Sequence, residues 1–287
     1  MTTTGIETRH MADERQGRAW FITGASRGLG RAFAEAALAA GDRVVGTARD
    51  VGPLAELAVG YQGRLLALEL DIADRAAVHA VVDKAVAELG GLDIVVNNAG
   101  QLLYGMLEEA TEEQVRAHFD TNVHGALWVG QAVLPYLREQ GSGHVVQVTS
   151  MGSTGGFASV GLYSAGKAAL DALSEALAME VESFGVSVTI VQPGSFATDL
   201  FTRGTTMTEE RGHYAPLRAK LAELWADADA GEPAEAAAVL LRAIEIQPPP
   251  KRLILGSTSY DLVLKDLEAR IGEHRRWEEL SRQAGQA

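Results

Sequence analysis

Trp20-Phe21-Ile22-Thr23-Gly24-Ala25-Ser26-Arg27-Gly28-Leu29-Gly30 is the stretch whose reading decides the fold. Its first three residues form a short apolar run, the mark of a strand buried on both faces. Three glycines follow within seven residues, and then Leu29, Phe33 and Ala36 recur at helical spacing. The unit is therefore strand, tight glycine turn, helix. Glycines in such a turn let an anionic group come close to the backbone, and the start of the helix offers free N–H groups and a positive partial charge. The spacing is Gly-x-x-x-Gly-x-Gly, and no Gly-Lys-Ser/Thr follows, which excludes the phosphate loop of kinases and GTPases.

The same alternation continues outward. Further short apolar runs lie at Arg43 to Thr47, Leu65 to Leu70, Leu92 to Val96, His144 to Val148, Val186 to Val191 and Arg252 to Leu255. Helical patterns separate them. Val78, Val81, Val82, Ala85, Val86 and Leu89 make one apolar stripe behind an Asp74 cap. Thr111 and Gln114 have capping-box spacing at the start of a long helix running through Leu137. Ala165, Ala168, Ala169, Ala172 and Ala176 give a later helix a small-residue face, suited to close packing in the core or between subunits. The expected fold is α/β, a doubly wound parallel sheet of seven strands with helices on both faces.

No linker or repeat divides the chain, so residues 18–287 read as one domain, with Gln247-Pro248-Pro249-Pro250-Lys251 a stiff connector before the last strand. Met1 to Gly17 is polar and reads as a loose tail, with an arm docking on a partner subunit as the alternative. A helical extension is expected at about 258–284. The 287 residues are enough for a large core without covalent staples. The absence of cysteine excludes disulfides, thiolate zinc sites and thiol catalysis, and is compatible with a cytoplasmic protein. A net charge of −13 argues against nucleic acid as a partner. No apolar run approaches the roughly 20 residues of a membrane span. The seven histidines show no metal-ligand spacing; His118, His124 and His213 read as surface or packing residues, and no metal is expected.

Further motifs stand in a fixed order along the chain. Asn97-Asn98-Ala99-Gly100 closes the fourth strand, Asn122 lies in the long helix, and Ser150 follows the fifth strand. Tyr163-Ser164-Ala165-Gly166-Lys167 comes 13 residues later, and Pro193-Gly194-Ser195-Phe196-Ala197-Thr198 ends the sixth strand. With the glycine turn, these motifs resemble the classical branch of the short-chain dehydrogenase/reductase family over about Arg18 to Leu200, and a Rossmann-type fold is implied. The resemblance implies a nicotinamide cofactor held by Gly24, Ser26, Arg27, Gly28, Leu29 and Gly30 in the turn. It places Asp71 and Ile72 at the adenine and Asn98, Ala99 and Gly100 beside the adenosine ribose. It sets Pro193, Gly194, Phe196 and Thr198 at the nicotinamide end. Asp71 has a second reading, as a cap for the turn before Asp74.

The choice of nicotinamide turns on the end of the second strand, where NAD enzymes usually carry an acid for the ribose 2′-hydroxyl. Here Thr47-Ala48-Arg49-Asp50 puts alanine at that place and arginine after it. Arg27 and Arg49 together suit a 2′-phosphate through charge-assisted hydrogen bonds. NADP(H) is the expectation; an inward-turned Asp50 would bring NAD back.

Carbonyl reduction needs a hydride donor and a proton donor for the alcohol oxygen. Tyr163 has an ordinary pKa of about 10, and bringing it near 7 takes about 4 kcal/mol. One cation at about 4 Å, at an effective dielectric near 20, supplies about that much. Lys167 is one helical turn away on the same face. The pair alone is thus expected to activate Tyr163 as the acid/base. Ser150 is expected to hold the substrate oxygen. The resemblance implies that Lys167 also binds the nicotinamide ribose and that Asn122 holds a water linking Lys167 to solvent.

Asp199 to Asp229 carries Phe201, Met207, Tyr214, Leu217, Leu221, Leu224 and Trp225, and in the family such a segment, about 199–230, forms a substrate lid. Gln101, Leu102, Leu103, Tyr104, Met151, Ser153, Phe157 and Leu162 are expected on the other walls. A fairly apolar ketone, aldehyde or secondary alcohol follows as substrate, unless these residues merely pack a helix pair. The extended C-terminus resembles bacterial members of the hydroxysteroid- or retinol-dehydrogenase-like kind. The helices bearing Asn122 and Tyr163 pair between subunits in the family, which implies a homodimer or homotetramer. Two other readings are a non-catalytic NADP(H) sensor on the same fold and an epimerase or dehydratase with a different glycine spacing.

Overall fold

In the computed structural model, residues 17–225 and 230–284 are described. The tail expected at Met1 to Gly17 lies almost wholly outside them. The chain runs β1 (Ala19–Thr23), α1 (Gly28–Ala39), β2 (Arg43–Ala48), α2 (Gly52–Ala58), β3 (Leu65–Glu69), α3 (Arg75–Leu89) and β4 (Ile94–Asn97). It continues through β5 (Leu102–Tyr104), α4 (Glu112–Phe119), a π-helical turn (Asp120–Gly125), α5 (Ala126–Gln140) and β6 (Gly143–Val148). Then come α6 (Gly161–Val181), β7 (Val186–Pro193), β8 (Thr205–Met207), α7 (Ala215–Trp225), α8 (Pro233–Glu245), β9 (Arg252–Leu255), α9 (Ser257–Arg276) and α10 (Glu278–Arg282).

Seven strands form one parallel sheet in the order β3-β2-β1-β4-β6-β7-β9. They are the seven apolar runs read from the sequence. Side-chain alternation explains why those runs are continuous rather than alternating: Trp20 and Ile22 enter the core beside α1 and α8, while Ala19 and Phe21 enter the core beside α3 and α5. Both faces are dry, so both sets of side chains must be apolar. Because β4 returns to the other side of β1, the strand order reverses between them, which opens a crevice at the carboxyl ends of these strands.

The local signals read at the helix starts are present. Asp74 caps α3 by accepting from Ala76 and Ala77 N–H groups at 2.9 and 3.0 Å. Thr111 and Gln114 form a reciprocal box at 3.0 and 3.2 Å. The long helix is not continuous, however: the π turn at Asp120–Gly125 divides it. At the end of this turn Gly125 lies against Ile72, so closely that a Cβ there would stand 2.7 Å from the Ile72 side chain. The segment after β7 also differs from its expected form, since β8 pairs with β5 in a separate two-stranded parallel ribbon. Strands of three residues are too short to show a period-two pattern.

On α6, Ala165 and Ala172 are exposed, so the small-residue face is turned out of the core. The C-terminal segment forms α9 and α10; Ser259 near the start of α9 presses on Gly194, whereas Tyr260, Ile271, Trp277 and Leu280 are exposed. Among the described residues, no helix is long and apolar enough to cross a membrane.

Candidate active site

The crevice between β1 and β4 widens into a cleft of about 460 Å³ that runs from the glycine turn to the segment after β7. At its floor, the turn is held by hydrogen bonds from the next strand's end. Thr23 Oγ1 accepts from the Asn98 and Ala99 N–H groups at 3.0 Å each, and Asn98 Nδ2 donates to the Thr23 and Gly24 carbonyls at 2.9 and 3.2 Å. Gly28 needs its φ of +55°, which side chains disfavour. Gly30 is required for another reason: a Cβ would stand 2.3 Å from Asn98 Nδ2 and 2.4 Å from the Gly24 carbonyl oxygen. Arg27 occupies the cap position of α1 without a side-chain cap bond, so among the described residues no side chain closes off the first-turn N–H groups. That is the arrangement an anionic cofactor phosphate requires.

Nearly all the expected cofactor residues line this one cleft: the turn residues Gly24 to Leu29 that were named, Arg49, Asp71, Ile72, Asn98, Ala99, Gly100, Pro193, Gly194, Phe196 and Thr198. Gly30 does not line it; it lies beneath Asn98. Asn98 contributes differently from its expected place at a ribose, because its amide is used to brace the turn. Asp71 lines the cleft, and its Oδ1 accepts from Ala73 N–H at 3.0 Å, the turn cap of its second reading. Arg27 and Arg49 are exposed at the cleft, and among the described residues neither makes an ion pair. Asp50 does not line the cleft; its Oδ1 accepts from Gly52 N–H at 3.0 Å, at the start of α2.

Ser150, Tyr163 and Lys167 meet at the middle of the cleft. Ser150 is delivered by the end of β6; its Oγ accepts from Gly152 N–H at 3.0 Å and lines the cleft with Tyr163. Lys167 is buried, and its Nζ donates to the Val148 carbonyl at 2.8 Å, 6.0 Å from the centre of the Tyr163 ring. Burial pushes Lys167 down to about 8. Burial also pushes Tyr163 above the usual phenol value, with the nearby Ser150 hydroxyl opposing it. This corrects the expectation that Lys167 alone brings Tyr163 near 7: removing a phenolate from water costs more than a cation at this distance returns.

Asn122 does not line the cleft. It stands behind Gly100, where a Cβ would meet Asn122 Oδ1 at 2.8 Å and Lys167 Nζ at 3.3 Å. Its amide donates to the Gln101 carbonyl at 3.0 Å and accepts from Gln101 N–H at 3.2 Å, so its side chain fixes the strand end rather than standing free for a water. Behind it, buried His118 places Nδ1 at 3.1 Å from Asn122 Nδ2; burial and the Lys167 charge hold this ring at about 4, so it is neutral. Nothing in the sequence distinguished His118 from an ordinary packing residue.

The cleft is also lined by Gln101, Leu102, Tyr104, Met151 and Phe157, as expected, and by Leu200, Phe201 and Leu221. Leu103, Ser153, Leu162, Met207, Tyr214 and Leu217 are not on its surface. Ser153 instead donates to Asp171 Oδ2 at 2.9 Å; Asp171 also binds the Arg252 guanidinium at 2.9 and 2.5 Å, which joins the Ser150 turn to α6 and β9. The side chains of Leu224 and Trp225 lie outside the described residues.

The short chain dehydrogenase family model matches residues 18–209. The chain is a short-chain dehydrogenase. The oxidoreductase BOA17 of Botryotinia fuckeliana is 34% identical over 266 residues, 91% of this chain and 97% of that protein. A short-chain dehydrogenase from Streptomyces avermitilis is similar in structure, with a TM-score of 0.88 and 42% identity, over 93% of this chain and 98% of that one. The fold is also shared by a Burkholderia phymatum short-chain dehydrogenase/reductase in complex with NAD, at a TM-score of 0.77 and 23% identity over 90% and 96% of the two chains. As a short-chain dehydrogenase the protein is an oxidoreductase of a family that binds a nicotinamide cofactor.

Proposed function

We propose that this chain is an NADP(H)-dependent oxidoreductase that interconverts a fairly apolar ketone or aldehyde and its alcohol, with Tyr163 as the acid/base. The observation that carries the proposal is the meeting of the Ser150 and Tyr163 hydroxyls in the cleft, with the buried Lys167 one turn along α6. A bound nicotinamide supplies or accepts the hydride. Ser150 holds the carbonyl oxygen, and Tyr163 gives that oxygen its proton during reduction. A raised tyrosine pKa suits this direction, since the proton must be present at the start. In oxidation the phenolate must form, and the charge of Lys167 and of the oxidised ring would then assist it. Lys167 has further N–H groups beyond the one given to Val148, available to the ribose hydroxyls. Asn122 acts through the widened π turn, where its backbone rather than its side chain is the place for a relay water.

Preference for NADP(H) rests on Arg27 and Arg49 together with the engagement of Asp50 at α2. Proteins of the same fold hold NAD or NADP, so the fold alone does not choose between them. The small-residue face of α6 and the α4–α5 face are the surfaces for a homodimer or homotetramer, and the absence of cysteine agrees with a cytoplasmic setting.

The test is the loss of NADPH absorbance against a panel of ketones, aldehydes and quinones. Turnover of apolar carbonyls is expected. Tight NADPH binding with no turnover of any member would replace this reading with that of a cofactor sensor.

A further inference from the structure

Two neighbouring carboxylates outside the catalytic group fasten the segment after β7 to the body of the protein. Glu109 lies in the single helical turn that follows β5, with its side chain wholly buried. Its Oε2 accepts from Met106 N–H at 2.9 Å, from Thr208 Oγ1 at 2.9 Å and from Arg218 Nη2 at 2.5 Å; its Oε1 accepts from Arg211 N–H at 2.8 Å. Three of these four donors belong to residues 208–218, about a hundred positions away. Glu108 adds the Arg211 guanidinium and the Tyr214 hydroxyl, the latter at 2.6 Å. Thr208 also sits directly over Gly105, where an added Cβ would overlap its side chain.

A buried carboxylate is costly unless every lone pair is used, and here the donors are supplied almost entirely by the other segment. Burial alone would raise the Glu109 carboxyl, but the Arg211 and Met106 N–H groups, Thr208 and Arg218 bring it to about 2. It therefore stays charged throughout the working pH range, and the contact is a fixed fastening rather than a pH switch. Its consequence for the cleft lies one helical turn further on. Arg218 is in α7, and Leu221 and Ala222, three and four residues later, line the same cleft as Leu102 and Tyr104 of β5. The position of α7 sets the width of the outer cleft, and Glu109 sets the position of α7.

We propose that Glu109 is a specificity-positioning residue: its carboxylate clasps α7 over the outer cleft and so determines how bulky an apolar carbonyl the enzyme holds. This rests on the proposed oxidoreductase function. None of the partners of Glu109 belongs to the Ser150–Tyr163–Lys167 group or to the glycine turn, so its loss leaves the chemistry in place.

The test compares wild type, Glu109→Gln and Arg218→Met in two measurements. Hydrogen–deuterium exchange over residues 205–222 is expected to be faster in both variants, with the NADPH Kd unchanged. In turnover, KM for a bulky apolar ketone is expected to rise about tenfold, as loss of one charge-assisted hydrogen bond implies, with kcat and the constants for a small ketone unchanged. Unchanged exchange in both variants overturns the clasp. Faster exchange with equal loss on small and bulky ketones overturns its role in specificity. If wild type reduces no carbonyl, the functional reading fails while the exchange experiment still decides the clasp, and should Glu109→Gln not fold, Arg218→Met carries both measurements.

Discussion

Replacing Arg27 and Arg49 with alanine, singly and together, is expected to remove the preference for NADP(H) and leave NAD(H) use nearly intact. Both guanidinium groups stand at the cleft, and neither is engaged by a carboxylate among the described residues. A shielded hydrogen bond to a charged group contributes roughly 1.5–3 kcal/mol. These arginines are exposed, so solvent and salt reduce each to roughly 1 kcal/mol. Each single variant should then lose about fivefold in NADPH kcat/KM and the double variant about 30-fold. The double variant's loss should shrink at high salt, as expected for exposed charges. NADH constants should move by less than about twofold, because no 2′-phosphate is present to be lost. The assay is steady-state kinetics with both cofactors on all four proteins at two salt concentrations. Equal losses with NADH and NADPH would mean that the arginines only support the turn. Equal kcat/KM for the two cofactors in wild type would refute the reasoning at its root.

Three further outcomes follow from the geometry. Gly30→Ala should weaken NADPH binding at least about tenfold, since its Cβ would force Asn98 off the Thr23 and Gly24 carbonyls; calorimetric titration with unchanged affinity would contradict this. The reductive kcat should be level below about pH 8 and fall above it, as Lys167, held at about 8, loses its charge; a profile that is level to pH 10 would count against Lys167 as a charged participant. Acid should destabilise the fold early. His118 and His144 are both held at about 4 by burial, below the ordinary 6.5, so the unfolded chain binds more protons between those values and stability falls as pH drops from 6.5 to 4. Each histidine accounts for up to about 3 kcal/mol of that fall, and a His144→Asn melting profile as steep as wild type would disprove its share.

What could be read from the sequence, and what could not, follows from distance along the chain. The seven strands were legible because a parallel sheet covered on both faces turns each strand into a continuous apolar run. The caps at Asp74 and Thr111 were legible because their partners are two or three residues away. The meeting of Ser150, Tyr163 and Lys167 was legible through the order of motifs rather than through any one of them. The π turn was not, since nothing in Asp120 to Gly125 departs from a helical pattern; its setting against Ile72 is a tertiary fact. The β5–β8 ribbon and the clasp of Glu109 on Arg218 were hidden for the same reason, their halves being about a hundred residues apart. The raised Tyr163 was hidden too, because the cost of burying a phenolate is set by tertiary packing, whereas the attraction of Lys167 is set by a spacing of four.

The central claim is that the Tyr163 hydroxyl carries the proton of a carbonyl reduction in this cleft. Tyr163→Phe removes that hydroxyl and keeps the ring beside Lys167. The decisive measurement is the single-turnover rate of NADPH oxidation by this variant on a ketone that wild type reduces, with the NADPH Kd measured alongside. The account predicts an unchanged Kd and a rate lower by at least about 10²-fold, the usual scale of a lost general acid. An unchanged rate would contradict it.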